Sequence, residues 1–178
     1  MGNRAYVIFH EPKSGRLSPA VYLHWNGGPE SVYAFLAEHD RRKCRIGDVE
    51  YGAARFAHIV CDFFDQDEAG STSVGISNPP KSADPVDLQE FAESASDNGI
   101  YLVSQNGNGL KVRRFRPVFL RGNDGRLLDT QPPPREMPPE EVQTEKEEAL
   151  AHRYNQRCDG EETVAEFFQR VRPKVAAH

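Results

Sequence analysis

Four polar residues, Tyr51, Arg55, His58 and Asp62, stand at spacings of four, three and four, so on a helix they form one stripe. In such a stripe Asp62 can hold the His58 imidazole in a single tautomer, and a histidine held that way can serve as a general base near neutral pH. Arg55 would then bind an anionic substrate. No nucleophile or metal partner follows at a recognisable interval, because His10, His24, His39 and His58 are scattered along the chain. The competing reading is a solvated helix face, where charged stripes of this kind are common.

Two other segments have chemical potential. In His24-Trp25-Asn26-Gly27-Gly28-Pro29-Glu30-Ser31 a strand runs through two glycines into a helix start, which leaves backbone N–H groups at a positive dipole end and suits a phosphate or carboxylate. It lacks the Lys-Ser/Thr of a Walker loop and the third glycine of a dinucleotide fingerprint, and Glu30 would repel an anion. A structural strand-to-helix turn is the alternative, with Trp25 as a partly buried anchor. Further on, Lys111, Arg113, Arg114, Arg116, Arg121 and Arg126 face the single acid Asp124, with Phe115 and Phe119 interleaved, as in a surface that follows a nucleic-acid backbone. On a strand these charges split between two sides. The acids Glu136, Glu140, Glu141, Glu145, Glu147 and Glu148 later in the chain could neutralise them internally, or an acidic protein could do so.

The elements that must position these groups follow from periodicity. Asn3 to His10 and Ala20 to Trp25 read as strands of a loose antiparallel hairpin, and a helix follows from Pro29 with Val32, Phe35, Leu36 and His39 on its apolar face. The clearest element spans Val49 to Phe64, where Ala53, Phe56, Ala57, Val60, Phe63 and Phe64 make one broad apolar face. A strand over Gly70 to Ser77 and a short helix over Asp84 to Ala95 are expected next. Ile100 to Ser104 and Leu110 to Arg116 then flank a glycine and asparagine turn as a hairpin, and Val118 to Arg121 with Arg126 to Asp129 would form another. Pro132-Pro133-Pro134 and Pro138-Pro139 mark a stiff linker. Glu140 to Arg157 and Glu161 to Val171 read as helices broken at Asp159-Gly160, the second with Val164, Phe167, Phe168 and Val171 as a docking or dimerising face.

The chain therefore divides into a compact domain over 1–130, a Pro-rich linker over 131–139 and a charged helical tail over 140–178. The expected fold is α+β: a mainly antiparallel sheet with two helices packed on one face, plus the C-terminal helical tail. With 178 residues and a net charge of −5, dominant non-specific binding to nucleic acid is disfavoured. No apolar run approaches the roughly 20 residues of a membrane span. No secretory leader is read at the N-terminus, so a cytoplasmic location is expected, with Cys44, Cys61 and Cys158 as reduced thiols and Cys61 inert for want of an adjacent base. No cofactor and no metal are called for.

Several short motifs occur in a definite order: Met1-Gly2-Asn3-Arg4-Ala5, Tyr22-Leu23-His24-Trp25-Asn26-Gly27-Gly28, Glu30-Ser31-Val32, Tyr51-Gly52-Ala53-Ala54-Arg55, Phe63-Phe64, Ser73-Val74-Gly75-Ile76 and Asp97-Asn98-Gly99-Ile100-Tyr101. In that order they resemble a family of small proteins encoded by bacteriophages, prophages and other mobile elements, over about residues 1 to 105. The resemblance brings no catalytic residues. It implies a protein made inside a bacterial host cell that occupies host machinery by stoichiometric binding, possible roles including an anti-CRISPR-like antagonist of host defence. The leading expectation is accordingly a non-enzymatic binding protein whose contact surface draws on Trp25, Asn26, Gly27, Gly28, Glu30, Tyr51, Arg55, His58, Asp62, Arg113, Arg114 and Arg116. Its partner would be a host protein or complex, with nucleic acid through Lys111 to Arg126 and a homodimer through the C-terminal helices as further possibilities. The rival readings are a small enzyme using His58 and Asp62 with Arg55 on an anionic substrate, and a nucleic-acid-binding accessory protein.

Overall fold

The computed structural model describes residues 3–45, 47–64, 74–95, 97–107, 109–129, 131–151 and 162–171. Its strands are β1 (Ala5–Glu11), β2 (Arg16–Leu17), β3 (Ala20–Leu23), β4 (Val74–Ser77), β5 (Ile100–Asn106), β6 (Gly109–Arg116) and β7 (Arg135–Glu136). The helices are α1 (Pro29–Arg41), α2 (Val49–Phe64), α3 (Gln89–Ser94), α4 (Pro139–Ala151) and α5 (Val164–Val171). They form an α+β fold on one sheet of order β4-β3-β1-β5-β6-β7, with β2 paired to β1. Every pairing is antiparallel except that of β1 with β5, which brings Tyr6 beside Ile100 and Ile8 beside Leu102.

The unbroken apolar run Ala5-Tyr6-Val7-Ile8-Phe9 in β1 is explained by burial on both faces, since a central strand covered on each side need not alternate polar with apolar residues. Ala5, Val7 and Phe9, with Tyr101 and Val103 from β5, pack against Phe35 of α1 and Phe56, Val60 and Phe63 of α2. Tyr6 and Ile8, with Ile100 and Leu102, point the other way and meet Leu88 and Ala92. The two expected helices do share one face, and the short α3 closes the opposite one. Each large side chain so buried contributes about 1.5–3 kcal/mol, which makes the double-faced centre the main source of stability.

Boundaries moved in instructive ways. The second strand stops at Leu23, and α3 covers only Gln89–Ser94 of the expected 84–95 because residues 84–88 form turns. The expected second hairpin is reduced to an isolated bridge between Arg121 and Leu127. Residues 70–73 of the expected strand, 152–157 and 161 of the expected tail helices, the break at Asp159-Gly160 and Cys158 lie outside the described residues.

From Asp129 onward the described chain stays on the body of the molecule. Within the proline-rich stretch Arg135–Glu136 pairs with β6, and Ala149, Val164, Phe167 and Phe168 belong to the same core cluster as α1 and α2. Of the α5 face that was expected to dock or dimerise, Val164, Phe167 and Phe168 are docked in this core at no more than 2% exposure, while Val171 stays exposed at 41%. Among the described residues no helix is long and apolar enough to cross a membrane.

Candidate functional site: a basic cleft between the first two helices

The chain leaves α1 with Arg41, Arg42, Lys43, Cys44 and Arg45, and within a few residues enters α2. So short a connection places the basic end of α1 beside the first turns of α2. The result is a cavity of about 310 Å³ lined by Arg42, Lys43, Cys44, Arg45, Tyr51, Arg55, His58 and Ile59. Tyr51 is the platform. Its ring carries the Arg55 guanidinium 4.9 Å from its centroid and the Arg45 guanidinium at 6.0 Å, both within cation–π range. Neither arginine, nor Lys43, has an ion pair with a carboxylate among the described residues. Lys43, Cys44 and Arg45 also open onto a shallower neighbouring cavity of about 860 Å³, which Asp40 and Asp48 line.

Arg42 differs from its neighbours. Its Nε donates to Glu38 Oε1 at 2.7 Å and its Nη1 to Asp62 Oδ2 at 2.8 Å, which ties α1 to α2 at the rim. Burial pushes the Glu38 carboxyl up, but hydrogen bonds from Arg41 and Arg42 outweigh it and hold the group below the usual carboxylate range. The Asp62 that was expected to orient His58 is thus engaged elsewhere: His58 Nε2 lies 3.6 Å from Asp62 Oδ1, too far for a hydrogen bond. Burial pushes the Cys44 thiol up, and the opposing fields of Arg55 and Arg42 do not reverse this, so the thiol at the cleft is a poor source of thiolate.

Beneath the cleft, His39 is fully buried. Its Nε2 lies 3.1 Å from the Gly52 carbonyl, and since a carbonyl only accepts, Nε2 carries the proton. Nδ1 has no partner among the described residues, and burial holds the ring's pKa below its ordinary value. His39 therefore fastens α1 to α2 as a neutral ring.

The glycine turn serves the backbone rather than an anion. A Cβ on Gly27 would stand 2.5 Å from the Asn3 carbonyl oxygen, so only glycine lets β3's exit pass this close to the start of β1. Gly27 N–H donates to that same oxygen at 2.7 Å, and the Tyr101 hydroxyl donates to Gly27 O at 3.1 Å. Buried Asn26 donates through Nδ2 to Ser31 Oγ. Glu30 holds its carboxylate beside Gly28, where an anion would have to sit. Trp25 is half-buried against the core and meets the His24 ring edge-on at 4.9 Å. Asn3 also accepts from Asn98, and Arg4 pairs with Asp97, so three sequence-distant motifs form one structural knot.

Three arginines of the basic hairpin are engaged within the chain by two carboxylates. Arg113 makes two hydrogen bonds to Glu136, at 2.6 and 2.7 Å. Arg114 is completely buried, stacked 3.5 Å over the Tyr101 ring, and donates through Nε to Glu145 and through Nη1 to the carbonyls of Asn98 and Ile100. Arg116 takes the other oxygen of Glu145. Burial pushes the Glu145 carboxyl up, yet the two guanidinium groups hold it below the usual range.

Of the residues singled out from the sequence, the structure gathers Tyr51, Arg55 and His58 in one cleft, leaves Asp62 at its edge, and assigns the glycine turn and the β6 arginines to structural tasks. Sequence reasoning missed Arg42, Lys43, Cys44 and Arg45 as cleft residues. Their signal was present in the basic run that closes α1 so close in sequence to Tyr51. Fold and site together define an α+β protein with a cationic cleft built around one exposed tyrosine, in which Lys43, Arg45 and Arg55 have no ion pair among the described residues. Comparison with protein-family models, curated proteins and solved structures finds no match to this chain in any of the three.

Proposed function

We propose that this chain is a non-enzymatic binding protein that grips an acidic surface of another protein through the cleft between α1 and α2. The observation that carries the reading is the pair of guanidinium groups, Arg45 and Arg55, set on the Tyr51 ring with no ion pair among the described residues. Tyrosine and arginine are the residue types that dominate interface hot spots, because they cover much area at little entropic cost and make directed hydrogen bonds. Two cations without a carboxylate partner among the described residues favour a carboxylate-bearing partner. The enzymatic alternative is weaker on the geometry, since Asp62 serves Arg42 and does not orient His58. The nucleic-acid alternative loses its main cations to Glu136 and Glu145. With the resemblance to mobile-element proteins, the partner would be a host protein, and antagonism of a host defence complex is the corresponding role.

The test uses a fluorescent glutamate-rich peptide and an oligonucleotide of equal charge as probes at low salt. Wild-type protein should bind the peptide, and the double reversal Arg45→Glu/Arg55→Glu should lose about 2 kcal/mol or more of that affinity without a change in circular dichroism. Equal binding by the reversed protein, or a clear preference for the oligonucleotide, would overturn the reading.

A further inference from the structure

We propose that the outer edge of β4 is a self-pairing surface, which joins β4 of a second copy of this chain across a two-fold axis at Gly75. The direction of the backbone groups shows what that edge offers. Tyr6 N–H donates to Gly99 O at 2.9 Å, so even-numbered residues of β1 turn their backbone groups towards β5 and odd-numbered ones towards β3. The antiparallel registers carry the alternation across the sheet: Val21 and Leu23 bond to β1, Ala20 and Tyr22 to β4, and Gly75 and Ser77 back to β3. The N–H and C=O of Val74 and Ile76 therefore point out of the sheet, and no strand among the described residues takes them.

The side chains point to the occupant. Ile76 lies opposite Val21, a residue of the main core, yet is itself 61% exposed. Among the described residues it is the only exposed large apolar side chain in any strand. Open edges are ordinarily guarded by charge, lysine above all, but residues 74–79 carry none, so two copies of this edge meet without repulsion. The strand is also self-complementary. A two-fold axis perpendicular to the sheet keeps the helix-bearing faces together only when residues of equal parity meet. With the axis at Gly75, Val74 of each copy faces Ile76 of the other, the two outward pairs exchange N–H···O=C bonds, and the exposed isoleucines gain apolar neighbours. Gly75 meets Gly75 at the close, non-hydrogen-bonded position, where no side chain obstructs the approach. Pro79 and Pro80 end the ladder soon after, so the pairing is short and the dimer weak and concentration-dependent.

This surface rests on observations separate from those of the cleft, and either can fail without the other. Sedimentation equilibrium of the full chain should show an average mass that climbs from 20.0 kDa towards twice that value as concentration rises. The cleft reversal Arg45→Glu/Arg55→Glu should climb as wild type does. Ile76→Lys, which sets a guarding charge on the edge, should stay at the monomer mass. Ile76→Pro should do the same with β4 still paired to β3, because the N–H it removes is the outward one. Gly75→Cys should form a disulfide-linked dimer under mild oxidation, since the facing Cα atoms stand about 4.5 Å apart. Val86→Cys, at a 68% exposed residue outside β4, should cross-link no more than the unsubstituted chain. A wild type that stays monomeric at every concentration, association indifferent to both Ile76 variants, or equal cross-linking from positions 75 and 86 overturns the proposal.

Discussion

Strand β6 and the connection between α1 and α2 are similarly rich in arginine, but their charges have different fates. On β6, Arg113 pairs with Glu136 while Arg114 and Arg116 share Glu145, and one guanidinium is wholly buried over Tyr101. At the α1–α2 junction Arg45 and Arg55 rest on Tyr51 with no carboxylate partner among the described residues. The first set holds β7 and α4 to the sheet. The second is left exposed. Density of basic residues along a sequence is therefore a weak guide to a binding surface; what matters is whether the fold supplies the compensating acid.

The sharpest way to break this comparison is to remove the acid that compensates β6. Glu145→Ala strands the buried Arg114 charge and should cost about 3–5 kcal/mol in denaturant unfolding, whereas Glu145→Gln, which keeps an acceptor, should cost less. If Glu145→Ala were neutral, the β6 pairs would be ornamental and that surface would return as a candidate contact. A comparable loss, about 3–5 kcal/mol, is expected for Phe168→Ala, because this ring packs edge-on to Phe35 at 6.3 Å within the shared core. The transition should stay single, and a separate early melting of α4 and α5 would contradict the description of one core.

Acidification sharpens the contrast further. His39 has a folded pKa held below its ordinary value, so the unfolded chain takes up the proton first. Stability should be full above about pH 6.5 and fall as the pH drops below it, with a slope of at most about 1.4 kcal/mol per unit. Glu145, whose folded pKa is also depressed, contributes above its unfolded value near about 4.3 and is lost only in stronger acid. Denaturation midpoints measured across this range should show the first limb flattened in His39→Gln and the second in Glu145→Gln. The smallest effect on stability belongs to the cleft: Arg45→Glu and Arg55→Glu should each shift stability by no more than about 0.5 kcal/mol while weakening capture of an acidic peptide. A large loss of stability there would mean that the cleft arginines are structural after all.

Much of the scaffold could be read from residue patterns. The three-and-four spacing of Phe56, Val60 and Phe63 located α2 to the residue, and the turn before Leu110 located the β5–β6 hairpin. The site was legible only in part. Tyr51, Arg55 and His58 share a face because helical geometry is local, but whether Asp62 faces His58 or Arg42 depends on an arginine from another helix. Tyr6 and Phe91 could not be paired from their positions, because α3 must first be laid against the centre of the sheet.

The amino-acid order by itself settled which stretches coil, which extend and which sides of them are greasy, since these depend on neighbours a few bonds away. Folding in three dimensions decided which charges were left without a partner, because a carboxylate more than twenty residues distant can cancel an arginine's field only once the chain has brought the two within hydrogen-bonding reach.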